Sequence, residues 1–317
     1  MKIIFLGTPG FAVPSLDILV QNGYEIPAVI TAPDKPAGRG QKLAESDVKK
    51  YAVSKGLNVL QPVKLGDPDF LETVKSLKAD LQIVVAFRMM PEKLWAMPPL
   101  GTFNLHGSLL PQYRGAAPIN RAVMNGELFT GVTTFFLKQE IDTGNIVFRE
   151  RIDIGPDESS GELHDRMMMV GAELVLKTVK AIEAGTAPMH SQDEFVKEGE
   201  ILLPAPKIFK QDALLDFTWD IRKLHNHVRG LSPFPGAYFN LQLPSGEIIQ
   251  VKVLRSSFEE AGVVLTHELL TDHKTFIKVS GKDGFLHIHE LQIPGKKRMK
   301  VDELLRGFRF PDDAVIC

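Results

Sequence analysis

Asn104 and His106 stand two residues apart in the run Gly101-Thr-Phe-Asn-Leu-His-Gly107. In an extended strand, side chains two apart share a face. The amide and the imidazole are therefore expected side by side, with Phe103 and Leu105 turned to the opposite, apolar face. An amide donates hydrogen bonds to a carbonyl oxygen that is gaining charge, and an imidazole carries a proton near neutral pH. This pairing favours acyl-type transfer over redox or phosphate chemistry. Asp142, in the turn Ile141-Asp-Thr-Gly144, adds a carboxylate that can face a cleft, although turn chemistry alone often accounts for an Asp there. The run Ser108-Leu-Leu-Pro-Gln-Tyr-Arg-Gly115 follows at once, with apolar wall and polar anchors together.

Such a pair needs a sheet to carry it. Short, nearly continuous apolar runs at 2–6, 26–31, 80–87 and 101–105 read as buried parallel strands. Helical patterns at 12–22, 46–55 and 67–78 lie between them, the last opening Asp67-Pro-Asp as a capped first turn should. Alternating strands and helices imply an α/β sheet wound with helices on both faces. Residues 130–137 and 145–154 read as two later strands, and 160–184 as the longest helix. The first strand ends in Gly7-Thr-Pro-Gly10, where a dinucleotide loop would sit, but without Gly-x-Gly-x-x-Gly spacing. A nicotinamide-dependent oxidoreductase is thus a rival of another class that the glycine spacing opposes.

Past Gly185 the texture changes. Leu202-Leu-Pro-Ala-Pro-Lys207 reads as a linker, 219–229 as an amphipathic helix, and 237–243, 248–254, 262–269, 275–279 and 285–291 as short strands. Such spacing fits a small barrel or a sandwich. The sequence divides into a catalytic domain over 1–189, a linker over 190–207 and a second domain over 208–317.

With 317 residues, 44% of them hydrophobic and 24% charged, the chain is long enough for two cores. A net charge of -2 gives no global case for nucleic acid, so any such site must come from local clusters. Cys317 is the only cysteine, which excludes an intrachain disulfide and a cysteine-based metal site. No apolar run approaches the ~18 residues of a membrane span, and the N-terminus lacks a signal-peptide pattern. A soluble, cytoplasmic, metal-free monomer is expected. The pairs His225/His227 and His287/His289 are assigned to structure or surface, and Met167-Met-Met169 to core packing.

Residues 103–119 (FNLHGSLLPQYRGAAPI), with Ile141–Gly144 (IDTG), resemble the signature of the folate-dependent formyltransferases. The opening Ile4-Phe-Leu-Gly-Thr-Pro-Gly-Phe-Ala-Val-Pro14 and the later Leu231-Ser-Pro-Phe-Pro-Gly-Ala237 resemble the members that act on methionyl-tRNA. The resemblance implies a Rossmann-like domain that binds 10-formyltetrahydrofolate, followed by a smaller OB-like β-barrel that helps hold the initiator tRNA. It places the catalytic set on Asn104, His106 and Asp142, and the folate-binding run on Ser108, Leu109, Leu110 and Pro111. Family members acting on a ribonucleotide or an amino sugar are the nearer alternative; their chains lack this second domain or continue differently.

Two departures fall near the expected pterin pocket. Where relatives carry Tyr-Gly, this chain has Phe87-Arg88, which are taken as pocket wall; before Asp142 an acidic-Gly pair is replaced by Gln139-Glu140. For tRNA, the Gly/Pro-rich stretch 32–42 is expected to be a long loop presenting Lys35, Arg39 and Lys42. A basic turn after a Pro-Gly pair presents Lys296, Lys297 and Arg298.

Overall fold

Ile3, Ile4, Phe5 and Leu6 are all fully buried, as a strand covered on both faces requires. The computed structural model describes residues 1–37, 42–262 and 268–317. The first sheet contains β1 (Lys2–Gly7), β2 (Glu25–Ile30), β5 (Val59–Leu60), β6 (Leu81–Val85), β7 (Thr102–His106), β8 (Phe129–Phe136) and β9 (Ile146–Asp153). Their order is β5-β2-β1-β6-β7-β8-β9. Pairings from β5 through β7 are parallel, and β8 runs antiparallel to β7. Chain order reverses between β1 and β6, so the carboxyl ends of β1, β6 and β7 open on the crevice where ligands of such sheets sit.

The intervening helices are α1 (Val13–Gln21), α2 (Asp47–Ser54), α3 (Pro68–Ser76) and α4 (Glu92–Trp95). The Ser46 hydroxyl caps α2 through Lys49 N, and the Asp67 carboxylate caps α3 through Asp69 N and Phe70 N, with Pro68 in the first turn. The strand expected over 80–87 ends at Val85, because Ala86 adopts a left-handed conformation (φ 48°) that leaves the sheet. Within the stretch 32–42, expected to be a loop, the described residues 35–37 and 42 belong to a short two-stranded ribbon, and 38–41 lie outside the described residues. β3 (Lys35–Ala37) pairs antiparallel with β4 (Lys42–Ala44), and Asp34 at its base accepts from Lys49 and Gln61. Pro36 is tolerated because a ribbon of two strands has only edges.

α5 (Pro118–Met124), α6 (Ser160–Glu183) and α7 (Ile221–Leu231) precede a second, antiparallel sheet. Its strands are β10 (Ala237–Gln242), β11 (Ile248–Glu260), β12 (Leu269–Thr271), β13 (Ile277–Ser280), β14 (Gly284–Gln292), β15 (Met299–Lys300) and β16 (Val315–Ile316), with α8 (Val301–Leu305) after β15. The order β12-β13-β14-β11-β10-β16, with β15 on β14, forms a nearly closed barrel-like sheet. Most of the strand expected over 262–269 lies outside the described residues. β11 runs six residues past its expected end. The pairing shifts register around Arg255, so that Ser256 turns inward and bonds His225 Nδ1 at 3.0 Å, whereas alternation had stopped at Leu254. On α7, Ile221, Leu224, Val228 and Leu231 are fully buried at the spacing of one helix face.

The chain forms two compact units that do not follow a single cut. One comprises Met1–Gly115, Thr130–Ile152 and His164–Pro204; the other comprises Ala116–Phe129, Asp153–Leu163 and Ala205–Cys317. The second unit thus takes two segments from inside the span expected for the catalytic domain. α5 is one of them. It packs on α7 where Gly230 permits contact: a Cβ there would lie 2.4 Å from Met124 Cγ.

His225 and His227 are both buried on α7, and Met167 is buried on α6 while Met169 is exposed. Burial pushes the His227 pKa down to about 4, with Trp219 against its ring at 5.0 Å. The unfolded chain, with an ordinary histidine pKa of about 6.5, binds this proton more readily. Stability supplied by neutral His227 is therefore complete above about pH 6.5 and is lost as pH falls towards 4, on the order of 3 kcal/mol. Denaturant unfolding followed by fluorescence in a Trp95→Phe background, where Trp219 is the remaining tryptophan, should show this loss, and His227→Phe should flatten it. Parallel pH curves for the two proteins would reject the assignment.

Candidate active site

β7 delivers Asn104 and His106 to the crevice on one strand face, as their spacing requires. His106 is 6% exposed, whereas Asn104 is only partly buried, so the pair is recessed without being sealed. His106 Nε2 lies 2.9 Å from the Tyr113 carbonyl oxygen. A carbonyl only accepts, so Nε2 carries the hydrogen, and Nδ1 is left to face Asp142 Oδ2 at 3.9 Å. That separation is an ion-pair distance and exceeds a direct hydrogen bond. Phe135 presents its edge to the imidazole, with ring centroids 6.4 Å apart.

Asp142 is held in a left-handed conformation (φ 55°), and its Oδ2 accepts from Gly115 N at 3.0 Å. Two residues on, Gly144 is obligatory: a Cβ there would lie 1.5 Å from the Phe136 carbonyl oxygen. The Asn104 Oδ1 is buried without a hydrogen-bond partner. Such an orphan costs about 1–3 kcal/mol and is rare in a folded core. No side chain or backbone donor among the described residues satisfies this oxygen.

The loop after β7 is organised by backbone-directed side chains. Thr133 Oγ1 donates to the Ser108 carbonyl (2.6 Å) and accepts from Leu110 N (3.1 Å), and Ser108 Oγ donates to the Gln112 carbonyl (2.6 Å). Ser108 and Leu110 are fully buried, Leu110 against Phe135 and Ile146. Their side chains face inward, and within 108–111 the half-buried side chain is Leu109, packed over Gly131. Tyr113 N donates to the Leu203 carbonyl at 2.7 Å and Gln112 Oε1 accepts from Leu203 N at 2.8 Å, so residues near 203 strap this loop.

Phe87 packs on the core beside β6. The Arg88 guanidinium, drawn below its usual pKa range by partial burial, donates to the Val63 carbonyl at 2.9 Å and to the Pro62 carbonyl. It ties two segments together. Val63 and Met89 on those segments are 77% and 74% exposed, and Ile141 beside Asp142 is 60% exposed.

Gly7 does not make room for a pyrophosphate. A Cβ there would lie 2.8 Å from Ala12 Cβ and 3.1 Å from the Val85 carbonyl oxygen, so the glycine serves internal strand-to-helix packing. Among the described residues, no cluster of three or more His, Cys, Asp or Glu is placed to hold a metal ion, and no helix is long and apolar enough to cross a membrane.

Comparison with known proteins gives the family. Residues 1–179 match the formyl transferase family, and 207–309 match the formyl transferase C-terminal domain. The methionyl-tRNA formyltransferase of Bacteroides thetaiotaomicron is 50% identical over 313 residues, spanning 98% of this chain and 97% of that one. The chain belongs to the methionyl-tRNA formyltransferase family. Among solved structures, the N-formyltransferase of Helicobacter canadensis, described in complex with folinic acid and dTDP-3-aminofucose, superposes with a TM-score of 0.63. It has 21% identity and covers 91% of this chain and 98% of its own. HypX from Aquifex aeolicus in complex with tetrahydrofolic acid superposes equally, TM-score 0.63 at 18% identity, covering 96% of this chain and 47% of its own. Both share the fold.

Of the residues singled out in the sequence, the structure gathers Asn104, His106 and Asp142. Sequence reasoning missed the groups that hold His106 and Asp142, namely the Tyr113 carbonyl, the Gly115 amide and the Gln192 side chain, and missed Thr133, which organises the loop after β7. Backbone groups carry no residue-type signal, and Gln192 stands in no recognisable motif. Lys35 is exposed at the start of β3 and Lys42 opens β4, while Arg39 lies outside the described residues. Lys296, Lys297 and Arg298 are exposed between β14 and β15, with Arg298 paired to Glu290. The second unit also holds a groove of about 460 Å³ that the sequence reading did not find. Lys207, Lys210 and Lys252 line it with Tyr238 and the exposed rings of Phe209 and Phe234.

Proposed function

We propose that this chain transfers a formyl group from 10-formyltetrahydrofolate to the amino group of methionyl initiator tRNA, supporting translation initiation as a cytoplasmic monomer. The observation that carries the reading is the placement, at the end of β7, of Asn104 on the same strand face as His106, whose Nδ1 faces Asp142 at 3.9 Å. The folate supplies the formyl carbon. Asn104 donates its amide hydrogens to the formyl oxygen as the amine attacks and charge develops there. His106, whose Nε2–H is committed to Tyr113, takes the amine proton on Nδ1 and returns it to the departing nitrogen. Asp142 stabilises the imidazolium while it lasts.

Purified protein should incorporate formyl from 10-formyltetrahydrofolate into charged initiator tRNA and not into the uncharged species. Transfer to a ribonucleotide or an amino sugar in its place would support the nearer alternative, and a nicotinamide-linked absorbance change the more distant one.

Two features support RNA binding by the second unit. Lysines interleaved with exposed aromatic rings suit unpaired nucleotides, which stack on rings while lysines meet phosphates. The 296–298 turn adds cations at the rim. Arg298 already pairs with Glu290, so Lys296 and Lys297 are the more available. The double replacement Lys296→Ala with Lys297→Ala should weaken tRNA binding and reduce the slope of log affinity against log salt by about 1–2. An unchanged slope in a filter-binding titration would remove this turn from the interface.

A further inference from the structure

We infer that Gln192 is a positioning residue that sets the separation of His106 and Asp142; the inference rests on the roles proposed for those two groups. Gln192 is 3% exposed at the start of a short 3₁₀ turn, Gln192–Phe195. An antiparallel bridge between Ile146 and His190 fixes the preceding backbone to β9. All of its side-chain capacity is used on the site. Nε2 donates to the Asp142 carbonyl at 2.7 Å and to the Gly144 carbonyl at 2.9 Å. Oε1 accepts from Arg114 Nε at 3.0 Å and from an Arg114 terminal nitrogen at 2.6 Å.

The placement of Arg114 makes this more than a buried polar contact. Its neighbour Tyr113 supplies the carbonyl that fixes His106 Nε2, and its other neighbour Gly115 supplies the amide that fixes Asp142 Oδ2. One end of Gln192 therefore grips the turn carrying the carboxylate. The other end grips the residue between the two backbone groups that orient imidazole and carboxylate. Asp142 sits in a left-handed conformation that is uncommon for residues other than glycine, and the two carbonyl bonds from Gln192 hold it there. No other side chain among the described residues bonds the Asp142 and Gly144 carbonyls.

The chemistry separates two variants. Gln192→Met keeps the volume and removes every bond. Gln192→Glu keeps an acceptor for Arg114 but turns an acceptor towards two carbonyls, so only the grip on the Asp142 turn is lost. Both should lower the single-turnover formyl-transfer rate at saturating substrates by about 10- to 100-fold, the loss expected from misplacing a reactive group by roughly 1 Å. KM for folate and for charged tRNA should stay within about twofold, since neither substrate meets Gln192.

The deciding measurement is a double-mutant cycle with Asp142→Asn, circular dichroism confirming the fold of each variant. If Gln192 acts through Asp142, its replacement should change the rate by less than about threefold once Asp142 is gone. Equal losses in both backgrounds, or an effect confined to KM, would overturn the inference. If Gln192→Met does not fold, Gln192→Glu carries the cycle. Should Asp142→Asn alone leave the rate intact, the catalytic reading of Asp142 fails; should it slow the reaction while neither Gln192 variant does, only the inference about Gln192 fails.

Discussion

Replacing His106 by glutamine is expected to slow formyl transfer by about 10²–10⁴-fold, with folate affinity changed by no more than about twofold. The substitution is chosen for what it preserves. A glutamine amide nitrogen can still donate to the Tyr113 carbonyl, which His106 Nε2 meets at 2.9 Å, so the loop after β7 keeps its anchor. What disappears is Nδ1, the ring nitrogen that faces the Asp142 carboxylate at 3.9 Å and that would take and return the amine proton in the proposed step. Single-turnover assays isolate the chemical step, and folate fluorescence or calorimetry reports binding. A rate within tenfold of the parent would mean that the amine's proton leaves by another path.

Asn104→Ala should reduce the rate by about 10²–10³-fold, the usual loss when one donor to a developing oxyanion is removed. Its effect on stability should run the opposite way. The buried Asn104 Oδ1 has no partner, so deleting it relieves a desolvation penalty on the order of 1 kcal/mol or more. The expected result is a slow enzyme whose melting temperature is unchanged or raised. A variant that is both slow and clearly less stable would make Asn104 a packing residue. Asn104→Asp, similar in shape but placing a carboxylate where negative charge accumulates, should be slower still.

The parts of the fold set by periodicity could be read from the sequence. The apolar runs at 2–6 and 101–105 are strands because burial on both faces leaves a continuous signal, and α2 and α3 start where Ser46 and Asp67 cap them. The ribbon of β3 and β4 was hidden because three-residue strands containing Pro36 have no period to detect. β11 appeared to stop at Leu254 because a register shift breaks alternation while pairing continues. At the site, strand spacing gave Asn104 and His106 their shared face. Asp142 entered only as a turn carboxylate and through resemblance; its approach to His106 depends on the fold of the 108–115 loop, which side-chain type does not encode. Gln192 was beyond reach for a related reason. Its importance comes from two carbonyls and an arginine drawn from segments far away in the chain.

The interleaved composition of the second unit bears on how this protein can be dissected. Helix α5 belongs with α7, and Met124 rests where Gly230 has no side chain. A fragment ending at Pro204 would strip α5 of that cover, and an isolated 205–317 piece would lack the counterpart for its own helix. Protein engineers seeking the second unit as a portable module would have to carry 116–129 and 153–163 along, joined by a new connection, because neither half is separable by one scissor cut.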